Sequence, residues 1–168
     1  FSHLGHLNKE QAKVAQLIES TINLIRTEYR DISITTKFEY DPLFNCFPSK
    51  LNQVFMNLIV NACQAISTKH KENKEKNKAY KGLIAINTKQ EMNFIVITIE
   101  DNGCGMSEES IEKVMEPFFT TKNRDVGTGL GMSVSLDVIQ SHDGGITVSS
   151  VLHQGSTITI HLPVECES

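Results

Sequence analysis

The chain has 168 residues, a length that suits one domain with a sizeable core. Apolar residues make up 39% of it, charged residues 21%, and the net charge is −4. This is the composition of a soluble globular protein, and it gives no support to a nucleic-acid-binding or membrane-binding surface. No apolar run could cross a bilayer, and the four cysteines are scattered, as is typical of reduced thiols. We therefore expect a cytoplasmic domain. Because it begins at Phe1, we expect a fragment whose parent could carry a membrane anchor.

The first predicted elements are a helix and two strands. Residues 1–8 are unpatterned and are expected to be a linker remnant before a domain over 9–168. Lys9 to Arg30 carries an apolar helical stripe. Ile32 to Tyr40 is rich in β-branched and aromatic residues, which favours a strand, and Phe44 to Phe47 is a short second strand.

A long apolar helix follows, over Leu51 to Ile66, with Ser49 as its predicted N-cap. The polar stretch from Ser67 to Lys81 is predicted to be a loop or a frayed helix end, and its lysines and glutamates indicate a solvated segment.

The remaining predicted elements alternate between strands and helices. In chain order they are strands over Gly82 to Lys89 and Phe94 to Glu100, a short helix over Ser107 to Val114 capped by Ser107, a loop over 116–126, a helix over Leu130 to Gln140, and a hairpin formed by Ile146 to Val151 and Thr157 to Leu162. This order predicts an α+β fold with helices on one face of a mixed sheet.

The long helix carries an unusual stripe of amides. Gln53, Asn57 and Asn61 are spaced four residues apart and therefore share one helix face. Buried amides are costly unless something satisfies them. An asparagine oxygen is a suitable ligand for Mg²⁺, so Asn61 could bind a metal and Asn57 the phosphates or metal-bound water. Alternatively, the amides hydrogen-bond to a neighbouring strand.

Two glycine-bearing segments lie downstream of this helix. In DNGCGM, Asp101 ends a buried strand, where a carboxylate can accept a hydrogen bond from an exocyclic amine such as adenine N6. Its glycines allow a sharp turn close to a flat base, although DNG is also a common turn. In GTGLGM, Gly127 to Met132, glycines precede a helix whose exposed N–H groups can hold phosphate. A dinucleotide-binding strand–turn–helix and a P-loop both fit its surroundings poorly.

The loop between these segments reads MEPFFTTKNRDV, over Met115 to Val126. Phe118 and Phe119 could anchor a mobile lid to the core, or simply belong to the core. Lys122 or Arg124 could then reach a terminal phosphate as the lid closes.

The order and content of these motifs resemble the ATP-binding domain of sensor histidine kinases, within the superfamily that includes type II topoisomerases and MutL. NQVFMNLIVNACQAI resembles that family's N box, DNGCGM its first glycine box, EPFFTTK its F box and GTGLGM its second glycine box. The segment SHDGGITVSSVLHQGSTITIHLP resembles its closing hairpin. The resemblance covers roughly residues 10–163 and implies a two-layer α/β sandwich of about three helices on a five-stranded mixed sheet.

The resemblance also implies roles for individual residues. Asn61 would be the Mg²⁺ ligand, Asn57 and Lys122 would act in catalysis, Asp101 would take adenine N6, and Thr157 would join the adenine network. The full set implied to bind ATP is Asn57, Asn61, Gln64, Asp101, Gly103, Gly105, Met106, Phe118, Thr121, Lys122, Gly127, Thr128, Gly129, Leu130, Gly131 and Thr157.

Two positions bear on the chemistry. Many members of the resembled family have a lysine where this chain has Gln64, so phosphate charge would rely more on Lys122, Arg124 and Mg²⁺. Its ATP-hydrolysing relatives have glutamate, a general base, where this chain has Asn57. An amide cannot usefully accept a proton, which favours transfer to a nucleophilic histidine over hydrolysis.

We therefore expect the catalytic half of a two-component sensor kinase. His3 and His6 lack the acid and proline that follow the acceptor in the resembled HExxxP motif, so the acceptor hairpin would be separate and dimeric, and a response-regulator receiver domain would act downstream. The alternatives are a regulatory module that holds ATP without transfer, towards which Gln64 points, and a topoisomerase-like machine, against which Asn57 argues.

Overall fold

A computed structural model describes residues 8–114 and 130–164, with Leu130 described only in its backbone. In chain order the elements are β1 (Glu10–Ala12), α1 (Val14–Ile25), β2 (Ser33–Phe38), β3 (Phe44–Cys46), α2 (Pro48–Glu75), β4 (Leu83–Glu91), β5 (Phe94–Asp101), α3 (Glu108–Lys113), α4 (Leu130–Ser141), β6 (Gly145–Val151) and β7 (Gly155–Pro163).

The main sheet has five strands in the order β2-β4-β5-β7-β6. The β2–β4 pair is parallel and the other three pairs are antiparallel, so the sheet is mixed, as the sequence predicts. Helices α2 and α4 pack against it and against each other, and α1 packs on α2. The predicted α+β sandwich, with its helices on one face of the sheet, is confirmed.

Alternation along the central strands builds the core. On β5, Ile95, Ile97 and Ile99 are buried and share one face, since side chains of a strand alternate between the two faces of the sheet. On the neighbouring β7, Leu162, Ile160 and Ile158 pair with them in register. The apolar side of α2 covers this layer, so one long helix is held against the middle of the sheet.

The start of the chain differs from the prediction of one helix over Lys9 to Arg30. Glu10–Ala12 forms β1, which pairs antiparallel with β3, and α1 spans only Val14–Ile25. Lys13 is the N-cap of α1, but its side chain makes no capping hydrogen bond. Instead, the Asp41 Oδ1 accepts a hydrogen bond of 3.0 Å from the Ala15 N–H. Pairing with a distant strand thus overrides the local helical pattern.

Helix α2 also differs from its prediction at both ends. It begins at Pro48, whose fixed φ suits the first helical position, with Phe47 as N-cap; the predicted Ser49 cap is wrong. The helix continues to Glu75, well into the stretch predicted as a loop or frayed end. The Lys69 ammonium lies 5.1 Å from the Tyr80 ring centroid and His70 also packs on that ring, so the extension has a tertiary partner.

The later elements agree with the sequence prediction to within a few residues. The Ser107 hydroxyl caps α3 by accepting from the Ser110 N–H at 3.2 Å, as predicted. The closing hairpin forms with Val151 paired to Gly155. No helix in the described part of the chain is both long and apolar enough to cross a membrane.

Candidate functional site

The amide stripe lies on the side of α2 that faces away from the core. Asn57 and Asn61 are half-buried there, whereas Gln53 is exposed. Gln64 is also half-buried. It follows Asn57 by seven residues, which is close to two full turns, so it lies on nearly the same helix face as Asn57. The predicted stripe therefore consists of two sheltered amides and one amide open to solvent.

The N-terminus of α4 lies against these two amides. A Cβ atom added to Gly131 would lie 3.9 Å from the Asn57 Cβ and from the Asn61 Nδ2. Helix N-termini carry unpaired N–H groups and a partial positive charge, which favour anions. The structure thus places Gly131, in the described end of the second glycine segment, beside Asn57 and Asn61, where the sequence predicted a phosphate site.

The Asp101 turn is fixed to the same helix one turn further on. The Asp101 Oδ1 accepts a hydrogen bond of 2.8 Å from the Gly103 N–H, and the Cys104 N–H donates to the Ala65 carbonyl at 3.1 Å. A Cβ atom on Gly103 would lie 2.7 Å from the Ala65 carbonyl carbon, too close for any other residue. Gly103 is therefore required by its approach to α2.

Two opposing effects act on the Asp101 carboxyl. Burial raises its pKa above the ordinary value, and hydrogen bonds from the backbone N–H groups of Gly103 and Ser156 counter part of that rise. A carboxylate has about four lone-pair sites, so two backbone N–H groups leave it able to accept a further hydrogen bond from a ligand.

The rest of the first glycine segment turns towards the β6–β7 hairpin. Gly105 has φ +66°, a left-handed conformation, and a Cβ atom there would clash with the Val151 carbonyl oxygen. The Met106 N–H donates to the Ser150 Oγ at 2.8 Å. Both glycines of this segment thus have packing reasons in addition to the base-pocket role predicted for them.

Thr157 lies on the face of the sheet opposite to the helices. Its register partner on β5 is Glu100, whereas Asp101 pairs with Ser156. Ser156 shares the parity of the buried Ile158 and Ile160, so it is Ser156 that lies beside Asp101 on the helix side. Ser156 was not among the predicted site residues, although the period-two pattern of β7 would have identified it.

Asn102 and Tyr80 were also missed, and they hold the turn from behind. The Asn102 Oδ1 accepts from the Leu83 N–H at 2.8 Å, and its Nδ2 donates to the Lys81 carbonyl at 2.8 Å. The Tyr80 hydroxyl donates to the Asn102 carbonyl at 2.9 Å. Burial raises the pKa of Tyr80 to about 12, so this hydroxyl keeps its proton. Asn102 therefore faces away from the site and clamps the end of β5.

The buried cysteines are unreactive by their surroundings. Burial raises the pKa of the Cys46 thiol to about 11 and that of Cys63 to about 12, so both stay protonated near neutral pH. Cys104 is half-buried, and none of these three cysteines forms a disulfide bond. The described residues contain no cluster of three or more acidic, histidine or cysteine side chains that could bind a metal ion.

Several predicted contacts lie outside the described residues, and they stay predictions. They are Phe118, Phe119, Thr121, Lys122, Arg124, Gly127, Thr128 and Gly129, together with the predicted loop over 116–126 and the side chain of Leu130.

The chain matches a known family model. The family described as "Histidine kinase-, DNA gyrase B-, and HSP90-like ATPase" matches residues 47–165. Among curated proteins the chain is 32% identical to sporulation kinase B of Bacillus subtilis (strain 168) over 94% of this chain and 34% of that protein. It is 36% identical to the signal transduction histidine-protein kinase AtoS of Escherichia coli (strain K12), over 98% of this chain and 25% of that protein. The chain thus spans about a quarter to a third of these relatives.

Solved structures of low sequence identity share the fold. The catalytic domain of the histidine kinase ThkA superposes with a TM-score of 0.76 at 24% identity, covering 93% of this chain and 95% of that one. Full-length ShkA in complex with AMPPNP gives a TM-score of 0.78 at 17% identity, covering 97% of this chain and 32% of that one.

Proposed function

From the membership of this chain in the family of histidine kinase-, DNA gyrase B- and HSP90-like ATPases, we propose that it is the catalytic domain of a two-component sensor kinase. It binds Mg-ATP and donates the γ-phosphate to a histidine on a separate, dimeric hairpin domain of its parent. A response-regulator receiver domain then takes the phosphoryl group. A module of the same fold that binds the nucleotide without transfer is the second candidate.

One observation carries the proposal: a single helix holds both ends of the site. Asn57 and Asn61 lie beside the α4 N-terminus, and Ala65 of the same helix binds the Asp101 turn. At a rise of 1.5 Å per residue, Asn57 and Ala65 are separated by about 12 Å along α2. This span suits a nucleoside triphosphate whose base meets Asp101 and whose phosphates meet Asn57 and Asn61.

The polar groups at the phosphate end suit Mg²⁺. This ion prefers oxygen ligands and usually keeps several waters while binding one or two protein groups and the phosphates. The Asn61 amide oxygen would supply the protein ligand, and Asn57 would hold the phosphates or a metal-bound water. When bound, Mg²⁺ neutralises charge on the transferring phosphate.

The groups around the phosphates favour transfer to histidine over hydrolysis. Catalysis would rest on positioning by the two asparagines, on the α4 N-terminus, and on the positive charge of Lys122. Asn57 cannot deprotonate a water, whereas a neutral imidazole needs no base before it attacks phosphorus. The fragment alone should therefore bind ATP and hydrolyse it very slowly.

The test measures both binding and transfer with matched variants. Labelled Mg-ATP is mixed with the domain and with the parent's hairpin domain, and Mg-ATP affinity is measured separately by calorimetry. We expect acid-labile, base-stable label on the hairpin from the unsubstituted domain. Asn61→Ala should weaken Mg-ATP binding by about 10- to 100-fold, the value of one interaction with a charged group, and abolish labelling.

Gln53→Ala is the matched control, because Gln53 is an exposed amide of the same stripe. It should leave binding and labelling unchanged. Tight binding without label on a competent hairpin would favour the regulatory module, and failure of the unsubstituted domain to bind Mg-ATP would overturn both candidates.

A further inference from the structure

Ser150, near the end of β6, joins three segments that surround the Asp101 carboxylate. Its Oγ accepts from the Met106 N–H at 2.8 Å, donates to the Gly155 carbonyl at 3.0 Å, and lies 2.7 Å from the Ser156 Oγ. Register pairs Ser150 with Ser156, and Ser156 in turn with Asp101. The three side chains therefore form one polar row across β6, β7 and β5.

The hydrogens in this row can be assigned from its donors and acceptors. A serine hydroxyl has one proton and two lone pairs, and a carbonyl oxygen can only accept. The proton of Ser150 goes to Gly155, and one lone pair takes the Met106 N–H. The contact with Ser156 is then a hydrogen bond only if Ser156 donates its proton to Ser150.

This assignment sets the polarity of the site beside Asp101. With its proton committed to Ser150, the Ser156 Oγ offers only lone pairs to a ligand. The ionised Asp101 carboxylate likewise can only accept, through the lone pairs that the Gly103 and Ser156 N–H groups leave. Two neighbouring acceptors suit a base edge that donates hydrogen bonds and disfavour an edge that accepts them, because a facing pair of acceptors leaves both unsatisfied.

We propose that Ser150 is a positioning residue that keeps Ser156 an acceptor and so raises the preference of the site for a purine with an amino group at position 6 over one with an oxo group. The inference deepens the proposed nucleotide-binding function and rests on it. Ser150 itself need not touch the nucleotide.

The test compares ATP with inosine triphosphate, in which an oxo group replaces the 6-amino group. Affinities of the domain for both are measured by calorimetry with Mg²⁺ present. Ser150→Ala frees the Ser156 hydroxyl to rotate and donate its proton to the oxo group. The dissociation constant for inosine triphosphate divided by that for ATP should therefore fall by about tenfold, the value of one hydrogen bond. Ser150→Thr keeps a hydroxyl on a strand-compatible side chain and should restore the ratio.

Ser149→Ala is the matched control, because Ser149 is the adjacent residue on β6, is exposed, and has the opposite parity. The Ser149→Ala variant should have the same ratio of dissociation constants as the unsubstituted domain. If Ser150→Ala does not fold, Ser156→Ala removes the same acceptor while leaving the other two bonds of Ser150, and it should lower the ratio similarly. An unchanged ratio in the folded variant overturns the inference, as does an unsubstituted domain that binds both nucleotides equally. A domain that binds neither overturns the proposed function itself.

Discussion

At the scale of single residues, burial of the Asp101 carboxylate lowers the stability of the fold, and the same carboxylate is the proposed contact with the base. Burial raises the pKa of its carboxyl, which means that the folded protein disfavours the charged form. Asp101→Asn removes that charge, and its amide oxygen can still accept from the Gly103 N–H. The amide nitrogen would then face the ligand and repel an amino group.

Asp101→Asn should therefore weaken ATP binding by about 10- to 100-fold while keeping or slightly raising stability, by less than about 1 kcal/mol for a partly exposed group. Calorimetry gives the affinity, and chemical denaturation without ligand gives the free energy of unfolding. Unchanged ATP affinity would contradict the assignment of this carboxylate to the base.

Motif matching locates some residues of the candidate site and not others. The residues Asn57, Asn61 and Asp101 could be placed from the sequence because helix spacing and the end of an apolar strand define them. Thr157 was predicted to join the adenine network and Ser156 was not named, yet register pairs Ser156 with Asp101, because a shift of one position moves a strand residue to the other face of the sheet. The hydrogen bonds of Ser150 depend on three segments meeting, which no local pattern reports.

At the scale of elements, α1 depends on a residue from another segment for its N-terminal cap. Asp41 bonds the Ala15 N–H at 3.0 Å and places a negative charge at the positive end of the helix, while Lys13 provides no cap. Asp41→Ala should lower the free energy of unfolding by about 1 to 2 kcal/mol. Denaturation by urea, followed by circular dichroism, measures the change.

Two further variants separate the cap from general charge effects. Asp41→Asn keeps the accepting oxygen and loses only the charge. Its free energy of unfolding should therefore fall by less than that of Asp41→Ala. Asp31→Ala removes an exposed carboxylate and should change stability by less than about 0.5 kcal/mol. Equal losses from Asp41→Ala and Asp31→Ala would rule out a capping role.

The sequence placed the helices and strands well and their ends less well. The apolar stripe of α1 and the apolar, β-branched runs of β4, β5 and β7 are local patterns, and the structure confirms these elements. The strand β1 depends on β3, which lies beyond α1 and β2, and the polar end of α2 packs against Tyr80, which follows the helix. Tertiary contacts of this kind override propensity and leave no mark in a short window.

At the scale of the whole molecule, His142 joins the two helices that form the site. It lies just after α4 and is only 4% exposed. Its Nδ1–H donates to the Val138 carbonyl at 2.8 Å, and its Nε2 accepts from the Phe47 N–H, at the N-cap of α2, at 3.0 Å. Both bonds hold together only in the neutral imidazole, because a protonated ring has no acceptor for Phe47.

Stability should consequently depend on the charge of His142. Burial lowers its pKa below 6.5, and Lys9 and Lys50 lower it further, while the Val138 hydrogen bond and Asp143 act in the opposite direction. The folded state favours the neutral imidazole, so the full contribution of His142 to the free energy of unfolding is present above pH 6.5. It is lost as the pH falls from there through the lowered pKa, because the unfolded chain takes up the proton first.

We expect the free energy of unfolding to fall between pH 6.5 and pH 5 with an added slope of at most about 1.4 kcal/mol per pH unit, the limit for one proton. Denaturation in urea at a series of pH values measures that slope. His142→Gln can still donate and accept but does not titrate, so its curve should lack the added slope. His70→Gln, at an exposed histidine of α2, should keep it. Equal slopes in the unsubstituted protein and His142→Gln would show that His142 does not couple the helix layer to pH.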